Sequence, residues 1–221
     1  MPLSTARRMG LVDQIIEQLR QSIGSGEWPV GGRIPNETVL VESLGVGRNT
    51  VREAVRALAH AGLLEVRQGD GTYVRATSEV SGALRRLYGA ELREVLEVRR
   101  GLEVEGARLA ATRRTAFDVA EMRRLLVRRD ACFDAGDTDD FARADTEFHL
   151  AVVGSAHNAT LTELYRGLVE AVTASVAATH EAPVEIVDHG ALLHLVEAGD
   201  ADGAARLAGE LIDRILDGLP A

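Results

Sequence analysis

The chain has 221 residues, room for one large domain or two small ones, and its 25 basic against 34 acidic side chains give a formal net charge of −9. Taken as an average, that charge argues against a nucleic-acid binder, which normally turns a basic face to phosphate. The single cysteine, Cys132, excludes an internal disulfide framework, and no apolar run approaches the ~18–20 residues that span a bilayer. The average conceals a division. Residues 1–75 hold nine Arg against eight acidic side chains, a net of +1, whereas residues 76–221 carry a net of −10. Every cationic Lys/Arg position is Arg, which suits bidentate contacts to guanine or carboxylate, although the base composition of a genome produces the same bias. Arg7-Arg8 has the form of a twin-arginine export signal, but Asp13 and Glu17 interrupt the apolar stretch such a signal needs. The expectation is therefore a cytoplasmic protein without membrane association.

In chain order, Val12, Ile15, Ile16, Leu19 and Ile23 recur at helical spacing and predict a first amphipathic helix ending near Gly24-Ser25-Gly26. Residues 28–35 form a turn-rich connection with room for one very short strand, and Trp28 is expected to pack on the first helix. Asn36 can cap a second helix with Val39, Leu40 and Leu44 on one face, which Gly45-Val46-Gly47 breaks. A third helix runs from about Arg48 to Ala61 on the apolar stripe Val51, Ala54, Val55 and Leu58. Leu63–Val66 and Thr72–Arg75 read as two short strands about Gly69-Asp70-Gly71, a β-hairpin.

Two short helices about a glycine turn, followed by a hairpin, are the sequence form of a winged helix-turn-helix. Arg48, Arg52 and Arg56 stand four apart opposite the apolar stripe, and Asn49 and Thr50 lie beside Arg48 at the helix start, the part that usually reaches base edges. Arg can grip guanine O6 and N7, and Asn can pair with adenine. A solvated helix face, interrupted by Glu53, is the plainer alternative for the stripe alone. Residues 10–75 resemble the winged helix-turn-helix of the GntR family of bacterial transcription regulators through Gly31-Gly32-Arg33-Ile34-Pro35-Asn36-Glu37, residues 44–54, Gly62-Leu63-Leu64 and Gly69-Asp70-Gly71-Thr72. That resemblance implies DNA contacts from Arg48, Asn49, Thr50 and Arg52, and from Gln68 and Gly69 at the wing tip. Two positions depart from the family pattern. Thr38 stands where an Arg is frequent, and Gly47 stands where Ser or Thr is common.

Residues 76–90, with Ser78, Ser81, Gly82 and Gly89, read as a linker with a helical piece near Leu84–Leu87. From 91 to 221 the pattern is helical throughout, with helices expected at about 91–112, 115–135, 138–154, 159–181, 184–198 and 201–218, separated by Gly136, Gly154, Pro183 and Gly199. The expected fold is thus mainly α: a winged helix-turn-helix over residues 1–75, the linker, and an all-α antiparallel bundle for ligand binding and dimerisation over 91–221.

Polar residues fall on apolar faces of that bundle. Asp145 and His149, four apart, share a face with Phe141, Phe148 and Val152, and His189 shares one with Leu193 and Val196. Buried, they need one another, water or a cation. One carboxylate and two imidazoles suit Zn, Ni, Mn or Fe, while a hydrogen-bonded Asp–His pair beside an unrelated core histidine satisfies the same spacing. His60, His157, His180 and His194 lack ligand spacing to the trio, and Arg123-Arg124 with Arg128-Arg129 read as a solvated face.

Residues 91–217 resemble the helical effector domain of the FadR subfamily, the FCD type, through residues 97–103 with Leu109-Ala110-Ala111, residues 145–149 with Asn158 and Leu161, and Asp188-His189 ahead of Gly199-Asp200. The resemblance implies a divalent metal (Zn, Ni or Mn) held by Asp145, His149 and His189, with the fourth ligand position falling on Leu211. It also implies effector contacts from Arg99 and Asn158. Arg99 could pair with a carboxylate ligand, or equally form a surface or interhelical salt bridge.

Three functions remain open at this point. The first is a regulator, most simply a repressor, binding a near-palindromic duplex as a homodimer and answering to a small organic acid. The second is a metal-dependent enzyme using Asp145, His149 and His189 as an oxygenase-type iron triad. The third is an effector-independent DNA-binding dimer, which the apolar Leu211 makes more plausible. The first accounts for both segments, and the expectation is that the protein is not an enzyme.

Overall fold

The computed structural model describes residues 10–87, 92–176 and 189–218, and the chain divides into two compact units, Met1–Leu87 and Tyr88–Ala221. In the first, helix α1 (Leu11–Gly24) buries Ile15, Leu19 and Ile23. Asn36 caps α2 (Glu37–Leu44), its side chain accepting a hydrogen bond from the Val39 N–H at 3.1 Å, a contact worth about 1 kcal/mol. Only Leu40 of α2 is fully buried; Val39 is exposed, because neighbouring helix positions diverge by about 100° and α2 packs through Leu40. Gly45 ends α2 at φ +66°, a left-handed conformation that costs glycine nothing. The chain then re-enters a helix, α3 (Arg48–His60), which buries Val51, Ala54, Val55 and Leu58.

Strands β1 (Leu64–Arg67) and β2 (Gly71–Val74) pair antiparallel from Leu64↔Val74 to Arg67↔Gly71, turning through Gln68-Gly69-Asp70 with Gly69 at φ +77°. The short extra strand is a single bridge, Arg33↔Tyr73. Trp28 packs against the core that α1, α2, α3 and the hairpin share.

The stretch read as a linker contains α4 (Glu79–Leu87), and the first unit extends to Leu87. Its serines and glycine have structural work there. Ser78 and Ser81 bond one another's backbone and side chain, with Ser81 buried. Gly82 lies so close to the carbonyls of Ala61 and Gly62 that no Cβ fits. Arg20 of α1 pairs with Glu79 at 2.6 Å.

Among the described residues of the second unit, every regular element is a helix: α5 (Leu92–Arg113), α6 (Ala116–Asp134), α7 (Thr138–Gly154), α8 (Ala159–Val176), α9 (His189–Ala198) and α10 (Ala201–Asp217). The predicted starts of the helices at 91 and 184, the end of that at 159–181, Pro183 and His180 lie outside the described residues. Thr115 and Asp118 form a reciprocal cap on α6, while Asp137 and Asp200 cap α7 and α10. Arg93 reaches the Leu216 carbonyl and Arg100 pairs with Asp213, so α5 and α10 run antiparallel. Phe133 meets Phe141 and Arg129 meets Asp145, so α6 and α7 do likewise. Phe148, Met122, Leu192, Val196, Ala204 and Leu211 belong to the main core. No helix of the described residues is long and apolar enough to cross a membrane.

Gly106 sits mid-helix in α5, where glycine costs about 1 kcal/mol against alanine. It is kept there by contact, since a Cβ at Gly106 would meet Val153 of α7 at 2.8 Å. Gly106→Val is therefore expected to destabilise the helical unit by ~1–3 kcal/mol, the usual scale of overpacking. Urea unfolding followed by circular dichroism measures this; an unchanged midpoint would show that α5 and α7 do not approach this closely.

Candidate functional site

In the first unit, α3 turns its polar face outward: Arg48, Asn49, Arg52 and Arg56 are exposed and Thr50 is half-buried. Gln68 and Gly69 are exposed at the hairpin tip, where Arg67 lies 4.3 Å over the Tyr73 ring and Tyr73 donates to Asp70. Next to this turn, the end of the Arg33 side chain lies over Gly71, in the space beside its Cα. Gly47 is the N-cap of α3 and has no side chain to satisfy the free N–H groups of the first turn. Arg52 donates from Nε and Nη2 to the two carboxylate oxygens of Glu37 at 3.1 and 2.8 Å. Those hydrogen bonds hold the Glu37 carboxyl below its ordinary value against the opposing effect of burial, with help from the charges of Arg52, Arg48 and Arg56.

In the second unit, α7 and α9 bring the predicted trio together. His149 and His189 are buried, with their Nε2 atoms 3.0 Å apart. Asp145 places Oδ1 3.5 Å from His189 Nε2 and Oδ2 3.8 Å from His149 Nε2. One ligand atom from each lies within 4.8 Å of the others. A tetrahedral ion with arms of about 2.1 Å would separate its ligands by about 3.4 Å, so the donor set fits a zinc-like ion. Phe148 stands roughly perpendicular to both imidazoles, with ring centroids 5.6 and 5.7 Å away. Leu211 is buried in the core cluster that contains Phe148 and Leu193, so the fourth position is apolar.

Two residues that the sequence reading did not assign to the site hold the trio in place. Glu103 of α5, 2% exposed, sets Oε2 2.9 Å from His149 Nδ1. Its Oε1 accepts from Tyr165 at 2.7 Å and from Arg99 Nε at 2.5 Å. Burial would raise the Glu103 carboxyl; Arg99, His149 and the hydrogen bonds from His149 and Tyr165 outweigh it and hold the group well below the usual carboxylate range. A carboxylate at Nδ1 favours a proton there, which leaves the Nε2 lone pair of His149 facing His189 and Asp145.

Arg129 is the second. It is 3% exposed rather than solvated, donates from Nε to Asp145 Oδ1 at 2.6 Å, and lies over the Phe141 ring. Asp145 follows the same balance as Glu103: burial pushes it up, and His149, Arg129 and His189 bring it below its ordinary value. Spacing could have flagged Arg129, which begins one helix turn before the Phe133–Phe141 contact, but its run of four arginines reads as surface. Arg99 sits in the salt bridge with Glu103. Asn158 accepts from the Leu161 N–H at 3.2 Å and so caps α8.

An exposed arginine stripe on the second helix of a helix-turn-helix, with a glycine-tipped wing, defines a DNA-binding transcription regulator. The comparisons agree with that class. Residues 11–74 match the model of bacterial regulatory proteins of the gntR family, and residues 94–214 match the FCD domain. The chain is 30% identical over 216 residues to the putative L-lactate dehydrogenase operon regulatory protein of Escherichia coli K12, covering 89% of this chain and 81% of that one. It is 32% identical to the transcriptional regulator Mce2R of Mycobacterium tuberculosis, covering 96% and 93%. It is 31% identical to a probable D-xylose utilization operon repressor of Paenarthrobacter nicotinovorans, covering 88% and 82%. Among solved structures, a GntR protein of Streptococcus agalactiae superposes with a TM-score of 0.53 at 28% identity, covering 93% and 99%. E. coli McbR/YncC reaches 0.55 at 22% identity over 95% and 97%, a likeness of fold. The chain belongs to the GntR family of transcription regulators, FadR subfamily, with an FCD effector domain. These relatives are regulators, which sets aside the oxygenase-type reading of Asp145, His149 and His189.

Removing one member of a buried ion pair strands the other charge. Glu103→Gln is expected to cost the helical unit about 2–4 kcal/mol, somewhat below the full buried-pair scale because Arg99 keeps partial solvent contact. Glu103→Gln combined with Arg99→Met should recover most of that loss. A double-mutant cycle by urea unfolding tests the coupling, and additive losses would refute it.

Proposed function

We propose that the protein is a repressor that binds a near-palindromic operator as a homodimer and is released by a small organic acid sensed beside a divalent metal in the helical unit. The observation that carries the DNA-binding part is the exposed stripe Arg48, Arg52 and Arg56 on α3, with Asn49 and Thr50 at its start and Gln68 and Gly69 on the wing. Two such heads in a symmetric dimer would enter successive major grooves. A relative named as an operon repressor supports the direction of control. With Thr38 and Gly47 in place of side chains that could add contacts, recognition rests on fewer groups.

The ligand class follows from charge balance. Arg99 offsets Glu103, and Arg129 offsets Asp145. A divalent ion held by Asp145, His149 and His189 (Zn, Ni or Mn by donor type) would add two positive charges in a largely buried setting. An anionic ligand offsets them at least desolvation cost. A relative named for an L-lactate dehydrogenase operon points to the same class. When bound, the ion supplies a Lewis-acidic point of attachment for a carboxylate; Leu211 contributes no donor, which leaves coordination open. Arg99, whose Nε edge is taken by Glu103, and Asn158 are the proposed effector contacts from the chain. For the acid to release DNA, it must bind the released arrangement more tightly than the DNA-bound one.

Arg48→Ala is expected to weaken operator binding by ~1–3 kcal/mol in a gel-shift titration, the scale of one base contact; unchanged affinity would remove Arg48 from the interface. In a thermal-shift screen, Zn or Ni together with small carboxylates should raise the melting temperature more than either alone. If no combination moves it, the effector-independent dimer is the better description.

A further inference from the structure

The reading head carries a carboxylate where a duplex should meet only cations. Glu37 opens α2, its side chain 41% exposed beside Arg52 at 46%, and its two oxygens take the Nε and Nη2 donors of that guanidinium. A guanidinium has two edges that match the paired acceptors of guanine or a phosphate: the side edge, Nε with Nη2, and the end edge, Nη1 with Nη2. With the side edge occupied, the end edge is the one left for a base. The carboxylate is held from both sides. Leu40 of α2 and Val51, Ala54 and Val55 of α3 share one core, which fixes the two helices, and a negative charge in the first turn of α2 is favoured by the helix dipole.

We propose that Glu37 is a positioning and specificity-determining residue for DNA recognition: it presents Arg52 end-on and cancels one positive charge of the α3 stripe, so that binding depends on base contacts rather than on attraction to phosphate. The proposal rests on the reading that α3 meets the duplex. Three uncompensated arginines one helix turn apart would seek any phosphate backbone. With Glu37 among them, Arg52 leaves its partner only where a correctly placed acceptor replaces the carboxylate, or keeps it and reads with the remaining edge. In either case a random duplex gains less from Arg52 than a matched one does. The hydrogen bonds from Arg52 hold the Glu37 carboxyl below its ordinary value, and the charges of Arg48 and Arg56 add to that.

The test uses the full-length protein and two probes: a duplex that the wild-type protein selects from a random library, and a scrambled duplex of equal length and composition. Glu37→Gln is expected to bind the scrambled duplex about 3–10-fold tighter at low salt. It should also steepen the slope of log K against log salt by about 0.9, the contribution of one added phosphate contact. The ratio of selected to scrambled affinity should fall by a similar factor. Glu37→Asp keeps the charge on a shorter arm, so it should preserve the slope while losing part of the ratio. In an Arg52→Gln background, Glu37→Gln should leave the ratio unchanged, since no guanidinium edge remains for it to present. An unchanged slope and ratio for Glu37→Gln overturns the proposal, as does equal weakening on both probes or an undiminished loss of the ratio without Arg52. If the wild-type protein enriches no sequence, the DNA reading itself fails and takes the proposal with it; if it enriches one and Glu37→Gln is silent, only the proposal fails.

Discussion

A carboxylate removed from water must be matched almost completely or it will protonate or unfold its surroundings. Glu103 is such a group, and the helical unit is organised to match it. Arg99 approaches from its own helix, Tyr165 from α8 and His149 from α7. These contacts join three helices at one point that hydrophobic packing alone would leave free to adjust. They also orient the imidazole of His149 toward His189 and Asp145, so what stabilises the fold and what prepares the polar cluster are the same set of contacts. Arg129 repeats the arrangement on the other side, holding Asp145 while its guanidinium lies against Phe141.

The N-terminal unit solves the opposite problem. Its charges stay in water, where ion pairs contribute little to stability, so their arrangement serves recognition more than folding. Glutamates accompany arginines throughout this surface: Glu37 with Arg52, and Glu65 with both Arg67 and Arg75. A near-neutral reading head is therefore no contradiction in a DNA-binding protein. Specificity comes from which edge of which guanidinium is left to contact a base, and the formal charge of the chain says nothing about that.

Much of the fold was legible because its elements announce themselves locally. The α3 stripe, the Asn36 cap, the glycine turn and the hairpin all follow from periodicity and backbone preference within about a dozen residues. Asp145 and His149 were found because four-residue spacing on an apolar face is itself a local signal. Glu103 and Arg129 were not. Arg99 and Glu103 have the spacing of an ordinary solvated helix pair, and only the packing of α7 and α8 over α5 makes that pair buried. The α4 segment was obscured for a related reason: Ser78, Ser81 and Gly82 have the composition of a linker, yet they serve a close helix contact and a buried hydroxyl. Val39 was placed inside by its residue type, and the direction of α2 decided otherwise.

Helix α5 joins these themes mechanically. Its 22 residues form a rod about 33 Å long, with four residues of chain between its start and the end of α4. On one side it carries Arg99 and Glu103; on the next it carries Arg93 and Arg100, tied to the last turns of α10. At Gly106 it lies against α7 with no slack. A rod held at these places resists bending locally, so a displacement of Glu103 would be passed to the helices that hold it, α7 through Gly106 and α10 through Arg93 and Arg100, rather than absorbed within α5.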